Sequence, residues 1–467
     1  MACNRNLTFE EKELAILREA VDNAEKKTKR ASVNSPEIAK MMALVEQFLR
    51  KTKCICYGGT AINNILPVND QFYDKSLEIP DYDFYSNNAL KHAKQLADIY
   101  AKEGFTEVEA KAGVHHGTFK VFVNYVPVAD ITQMDKKLFN SIKKDSIHVN
   151  GILYAPPNFL RMAMYLELSR PKGDVSRWEK VQKRLVLLNK NFPLKYKVCG
   201  YKNFQREFEH NSPNKTNENL IYSIVRDSFI NQGVVFFGGY ANNLFSKYMP
   251  NHLKKKLANI PDFDVLSETP KTTATILQER LEYEGYKKVK IERKAGVGEV
   301  IAPHYEVLVD KETVAFIYEP LACHSYNIIN MKGTSIKIAS IDTMLSFYLA
   351  FIYADRPYYD KDRILCMAQY LFQVQSKNRL KQKGLLKRFS IKCYGNQDTL
   401  TSVREEKAEM YKKLKNKRGT KEYEEWFLKY NPTETQSKQV KKRKRKTRRK
   451  KSSKRKTRKN SKSEYTF

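Results

Sequence analysis

Apolar residues recur at helical spacing early in the chain, where Ile38, Met41, Met42, Val45, Phe48 and Leu49 line one face. Thr8 with Glu11 predicts a capping box, and Ser35-Pro36-Glu37 predicts an N-cap followed by proline at the first helical position. The period then changes. Residues 54–57 are short and apolar, stop at Gly58-Gly59 and predict a strand; helical spacing resumes at Ala61. Residues 118–126 alternate, and after Pro127 the run Val128-Ala129-Asp130-Ile131 predicts a further strand ending in a carboxylate. Residues 405–430 predict a charged, largely exposed helix anchored by Trp426 and Phe427.

The pattern occurs twice. Residues 57–64, YGGTAINN, return as FGGYANNL at 237–244, and IPDYD at 79–83 returns as IPDFD at 260–264. KAGV at 111–114 returns at 294–297, and Arg170-Pro171 matches Arg356-Pro357. Four matches in order at a slowly growing offset predict a tandem duplication of one α/β module. The expected division is a helical segment over 1–50, a first module with its following helices over 51–210, a polar linker over 211–219, a second module over 220–430 and a tail over 431–467.

Charge sharpens the picture of the tail. The formal charge is +33, and 17 of the cationic side chains lie between residues 438 and 462 without one acid, leaving +16 for the rest. Such a tail cannot bury enough apolar surface to fold alone and is expected to be disordered. A basic body points to a polyanionic partner. The longest apolar stretches, such as residues 347–354, fall far short of the ~20 residues a membrane span needs, and the first residues lack the apolar region of a signal peptide. Seven scattered cysteines without metal-ligand spacing predict a reducing compartment, no disulfide framework and no structural zinc.

Candidate chemistry gathers in the first copy. A strand ending in Gly58-Gly59-Thr60 and opening into a helix can hold a phosphate on backbone N–H groups, or can be a plain tight turn. Asp81 and Asp83, spaced i, i+2, would share one face of a strand while Tyr82 and Phe84 face the other. They can hold Mg²⁺, or be solvated turn residues after Pro80. Asp130 is a third carboxylate in an apolar strand, costly to bury without a partner. Three such carboxylates beside a glycine turn can hold two divalent cations, which would activate an attacking hydroxyl and stabilise a leaving pyrophosphate.

GGT, then DxD about twenty residues on, then an Asp on a later strand resembles the nucleotidyltransferase superfamily of DNA polymerase β type. The wording GGTAINNIL, IPDYDFYS and VPVADIT is similar to the catalytic subunits of poly(A) polymerases from poxviruses and other large cytoplasmic DNA viruses, most sharply over residues 54–170. The resemblance implies a mixed sheet of about five strands flanked by helices, Mg²⁺ or Mn²⁺ as cofactor, ATP as donor and an RNA 3′ end as acceptor. It makes Asp81, Asp83 and Asp130 the catalytic metal ligands and Gly58, Gly59 and Thr60 the nucleotide site. It also implies action in the host cytoplasm or virion, no membrane partner, and either a homodimer or a separate processivity subunit. A uridylyl- or CCA-adding enzyme and a non-catalytic RNA-binding scaffold are the alternatives.

The second copy keeps Gly238-Gly239, Asp262 and Asp264, but Tyr240 replaces Thr60. Aligning residues 128–131 with 314–317 puts Phe316 where Asp130 stands, which predicts a catalytically inactive copy. Lys111 and Lys294 can meet phosphates or be solvated. Arg161 can face the nucleotide. His115-His116 reads as strand-edge polar residues, and of Cys54 and Cys56 at most one is expected to face the core. The basic tail can track RNA by counterion release or serve as a nuclear targeting signal.

Overall fold

The computed structural model describes residues 8–33, 35–74, 76–194, 199, 215–249, 263–331 and 333–433. The tail beyond Thr433, residues 211–214 of the expected linker, the Glu11 side chain and Asp262 lie outside the described residues.

The first module runs α1 (Phe9–Val33), α2 (Pro36–Thr52), β1 (Ile55–Cys56), α3 (Gly58–Ile65), β2 (Tyr82–Ser86), α4 (Ala89–Lys102), β3 (Val108–Ala112), β4 (Thr118–Val123), β5 (Val126–Gln133), α5 (Lys136–Lys144), β6 (Ile147–Val149), β7 (Ile152–Tyr154), α6 (Pro157–Leu168) and α7 (Trp178–Asn191). Ser35 caps α2 as expected, its Oγ accepting from Glu37 N at 3.3 Å. The second module repeats this order. After α8 (Lys215–Asn231) come β8 (Val235–Phe237), α9 (Gly238–Phe245), β9 (Phe263–Leu266), β10 (Val289–Lys294), β11 (His304–Val309), β12 (Glu312–Tyr318), β13 (His324–Met331) and β14 (Thr334–Ala339). Lys215 onward of the expected linker is already helical.

Each module builds an eight-stranded mixed sheet, wider than the five strands expected. The orders are β16-β3-β4-β5-β2-β1-β7-β6 and β10-β11-β12-β9-β8-β14-β13-β15, where β15 is Cys393–Tyr394 and β16 is Lys429–Tyr430. Seven strands correspond one to one, and the eighth joins opposite edges. Both central hairpins turn on two residues with positive φ, Asn124-Tyr125 and Asp310-Lys311, the backbone twist that a tight hairpin favours. Both also carry a register shift, one just after Val121 and the other just after Val307.

The modules meet through equivalent helices, α6 and Ile341–Phe351, the latter buried along its whole length. Phe159 packs on Tyr353 with ring centroids 5.4 Å apart. A buried ion pair closes the seam: Arg388 reaches Asp342 at 2.7 Å and Gln182 of α7 at 3.3 Å.

The expected single helix over 405–430 is two helices, Leu400–Leu414 and Lys421–Phe427, followed by β16. Gly419, at φ +87°, breaks the run. This arm crosses back to the first module. There β16 pairs antiparallel with β3, Tyr430 donates to Asp98 of α4 at 2.7 Å, and Trp426 lies against His116, centroids 4.2 Å apart.

Two expectations for the cysteines are corrected. Cys199–Cys366 and Cys323–Cys393 are disulfides, between residues 167 and 70 positions apart, so only the fold brings them together. Cys54 and Cys56 are free and both buried, because β1 is an interior strand covered on its two faces. Among the described residues no helix is long and apolar enough to cross a membrane.

Candidate active site

The glycine turn is built by a strand that ends against a carboxylate. Tyr57 N donates to Asp83 O at 2.9 Å, extending the β1–β2 pairing by one residue. Gly58 then turns with φ +73°, a backbone conformation that side chains resist. A Cβ there would lie 2.7 Å from Asp83 Oδ2, so the bare backbone and the carboxylate are in contact. Thr60 is buried, and its Oγ1 donates to Asp81 O at 2.7 Å, tying the first turn of α3 to the chain entering β2. Over Gly59 stand Tyr73 and Arg184: the guanidinium donates to the Tyr73 hydroxyl at 2.7 Å and covers the Phe72 ring at 4.9 Å. A Cβ on Gly59 would lie 2.9 Å from the guanidinium. Arg184 on α7 thus places a fixed cation beside the helix N-terminus, a residue that no local motif announces.

The carboxylates come from neighbouring strands. In β2, Tyr82 and Phe84 face the core while Asp83 and Tyr85 face the other side. Asp83 pairs directly with Asp130 across the parallel β2–β5 ladder, and directly paired residues share a face. Asp81 precedes β2 and is exposed. Burial pushes the Asp83 carboxyl up to about 7, and the charges of Asp81 and Asp130 push the same way. Asp81 is also raised, first by the protein packed around it and then by Asp130. Lys120 donates to Asp130 Oδ2, while Asp130 Oδ1 is buried without a partner among the described residues. Tyr57 floors the site, stacked on Tyr85 at 3.9 Å and bonded through its hydroxyl to Thr132 at 2.9 Å.

Among the described residues no three His, Cys, Asp or Glu side chains are spaced as a ready metal cluster; the Lys120 ammonium occupies Asp130 instead. The donor chemistry nevertheless suits a hard divalent cation. One carboxylate oxygen is buried and unpartnered, and a second carboxyl is driven toward protonation by burial and then by its acidic neighbours.

The second module repeats the turn. Gly238 also has φ +73°, and a Cβ there would lie 2.7 Å from Asp264 Cγ. The row beside it differs. Asp264 pairs with Phe316, and Phe316 is 1% exposed in a cluster with His304, Tyr318 and Tyr358. Tyr240, in the place of Thr60, packs on Phe236 and Phe263.

Other expectations divide. Arg161 does not face the site: it is fully buried, donating to Asn158, Asn189 at 2.6 Å and Phe192 O, and it braces α6 against α7. Lys294 is held between Glu292 and Glu306, each at 2.8 Å. Lys111 lies on the open face of β3, 4.1 Å above the Phe122 ring. A cleft of about 380 Å³ opens beside Thr60 and Asp81, lined by Glu46, Arg50, Asn64, Tyr73, Glu78 and Tyr154 among others.

Residues 43–174 match the family described as Poly(A) polymerase catalytic subunit. A protein of Acanthamoeba polyphaga mimivirus, named as a poly(A) polymerase catalytic subunit, is 24% identical over 426 residues, covering 81% of this chain and 70% of its own length. An African swine fever virus protein of the same description is 31% identical over 167 residues, 34% of this chain and 35% of that protein. The fold matches the crystal structure of the Megavirus polyadenylate synthase with a TM-score of 0.76 at 21% identity, over 92% of this chain and 87% of that one.

Proposed function

Since this chain belongs to the viral poly(A) polymerase catalytic subunit family, we propose that it transfers AMP from ATP to an RNA 3′ end without a template, releasing pyrophosphate. The observation that carries this reading is the direct pairing of Asp83 with Asp130, set against the bare backbone of Gly58. Residues 51–210 would hold the chemistry, and residues 220–430 would form a degenerate module that packs against it and supports it.

The triphosphate would lie on the N–H groups of Gly58, Gly59 and Thr60, where the helix N-terminus favours an anion. Arg184 adds a fixed charge at that turn. Asp81, Asp83 and Asp130 would hold Mg²⁺ or Mn²⁺, which supplies Lewis-acid stabilisation of the reacting oxygens. The RNA 3′ oxygen forms its bond to the α-phosphorus as the α–β phosphoanhydride bond breaks. We assign the hydroxyl proton to Asp130, whose Oδ1 is otherwise unpartnered among the described residues. Catalysis is then positioning and electrostatics, with no covalent intermediate on the protein. Action in the host cytoplasm or virion follows from the same reading.

The test is incubation of the full chain with a short RNA primer, Mg²⁺ or Mn²⁺, and each NTP separately. Long products with ATP alone are expected. Efficient extension by UTP, or a product that stops after two or three additions, would overturn it.

A further inference from the structure

One cross-strand row runs through five strands of the first sheet. Lys429 of β16 pairs with Lys111 of β3, Lys111 with Lys120 of β4, Lys120 with Asp130 of β5, and Asp130 with Asp83 of β2. Directly paired residues point to the same face, so three lysines lead in line from the sheet edge to the carboxylates. All three are accessible: Lys429 is exposed, and the side chains of Lys111 and Lys120 are 44% and 37% exposed. Phe122, half-buried on the same face, supports Lys111 from below. Lys429 has no ion-pair partner among the described residues, whereas its neighbour Tyr430 points to the back of the sheet and is bonded to Asp98.

The second sheet supplies the control. There the matching row reads Glu292, Glu306, Phe316, Asp264. The equivalence of Glu306 with Lys120 is fixed by the shared register shift one residue later, after Val307 and Val121. By cross-strand register the two lysines have become glutamates, and Lys294, which the sequence repeat matches to Lys111, is held between them.

We propose that Lys120, Lys111 and Lys429 form a track for the sugar-phosphate backbone of single-stranded RNA, which guides the strand across the open face to its 3′ end at Asp130. Lys120 meets the terminal phosphate and Lys429, carried by the C-terminal arm, the outermost one. Three strand steps of ~4.8 Å make the row about 14 Å long, enough for about four stacked nucleotides at ~3.4 Å each. A line of half-exposed lysines supplies the backbone-tracking charge that sequence-tolerant binding of a single strand uses.

The inference rests on the RNA-extending reading above, and binding and turnover are therefore measured separately. The full chain, Lys111→Glu, Lys429→Glu, Lys429→Ala and the double Lys111→Glu/Lys429→Glu would be titrated with a fluorescent oligoadenylate ending in 3′-deoxyadenosine, over a range of salt. Lys271→Glu, an equal charge change on the second module, is the comparison, and thermal unfolding checks that each variant is folded. The slope of log affinity against log salt is expected to fall by about 0.7 for each lysine lost, with the double variant binding at least ten-fold more weakly and Lys271→Glu binding as wild type. In primer extension, KM for RNA should rise more than kcat falls, and the Lys429 defect should appear only with primers longer than about four nucleotides. Wild-type slope and KM in the double variant, with wild-type chain extending RNA normally, would overturn the track and leave the enzyme reading intact. A wild-type chain that binds the oligonucleotide with the expected lysine-dependent slope but extends nothing would overturn the enzyme reading and leave the track.

Discussion

In the first sheet Asp83 faces Asp130 across two parallel strands; in the second, Asp264 faces Phe316 across the matching pair. The backbone that frames these pairs is shared, from the seven-strand order to the left-handed glycine at the end of the inner strand and the two-residue hairpin turn. The contrast teaches that the fold is carried by apolar positions facing the helices, while a few polar positions on the open face are free to differ. Where the third carboxylate is gone, Phe316 buries itself among His304, Tyr318 and Tyr358, an arrangement worth more to stability than a group of mutually repelling acids. The first module keeps that repulsion, which stability alone would remove and which the proposed activity would require.

The contrast breaks most sharply at the carboxylates. Asp130→Ala should reduce adenylate addition by about 10³-fold or more, as loss of a group that stabilises developing charge does, whereas Asp264→Ala should stay within about two-fold; single-turnover primer extension reads both. Comparable losses would mean that the second module takes part in the chemistry. Next come the glycines. Gly58→Ala drives a methyl into the Asp83 carboxylate, and a displacement near 1 Å can cost about 10²-fold in rate. Gly238→Ala meets Asp264 in the same way but should lower the melting temperature without a comparable loss of turnover.

A third contrast is in pH. Because the Asp83 carboxyl is raised to about 7 in the folded chain, its protonated form favours the native state. That contribution is complete below the ordinary carboxylate pKa of about 4 and is lost as pH rises through 7. Metal-free Asp83→Asn should therefore melt higher than wild type at pH 8 and about level with it at pH 4. Added Mg²⁺ should raise the wild-type melting temperature more at pH 8 than at pH 6, since the cation needs the ionised carboxylate. The smallest effect is expected at the first helical turn. Thr60→Ala deletes one hydrogen bond to Asp81 O, about 1 kcal/mol, and Tyr240→Phe should change neither activity nor stability by as much.

Features that depend on near neighbours in sequence were readable. The Gly58-Gly59 turn, the alternation that brings Asp83 to one face, the strand around Asp130 and the Phe316 replacement all follow from local period and the internal repeat. Features that depend on distant partners were not. Arg184 reaches Tyr73 from 111 residues away, and the two disulfides close over 167 and 70 residues with no shared spacing. Arg161 sits in a helix whose apolar pattern does not distinguish an arginine that lines a cleft from one satisfied by Asn158, Asn189 and Phe192. The five-strand sheet was what the resemblance implied, and β6, β7, β15 and β16, of two or three residues each, are too short to show a period that would have added them.

The arm that ends in β16 also dictates the order in which the molecule can be completed. Tyr430 and Asp98 are 332 residues apart, and a ribosome adding roughly 5–20 residues per second needs tens of seconds to cover that distance. Through that interval β3 is an open edge, the kind of strand that pairs with the wrong neighbour. The sheet that carries Asp83 and Asp130 therefore closes only after residue 430 has been made. A nascent chain released before that point would carry Asp81, Asp83 and Asp130 and still be the copy most prone to aggregate.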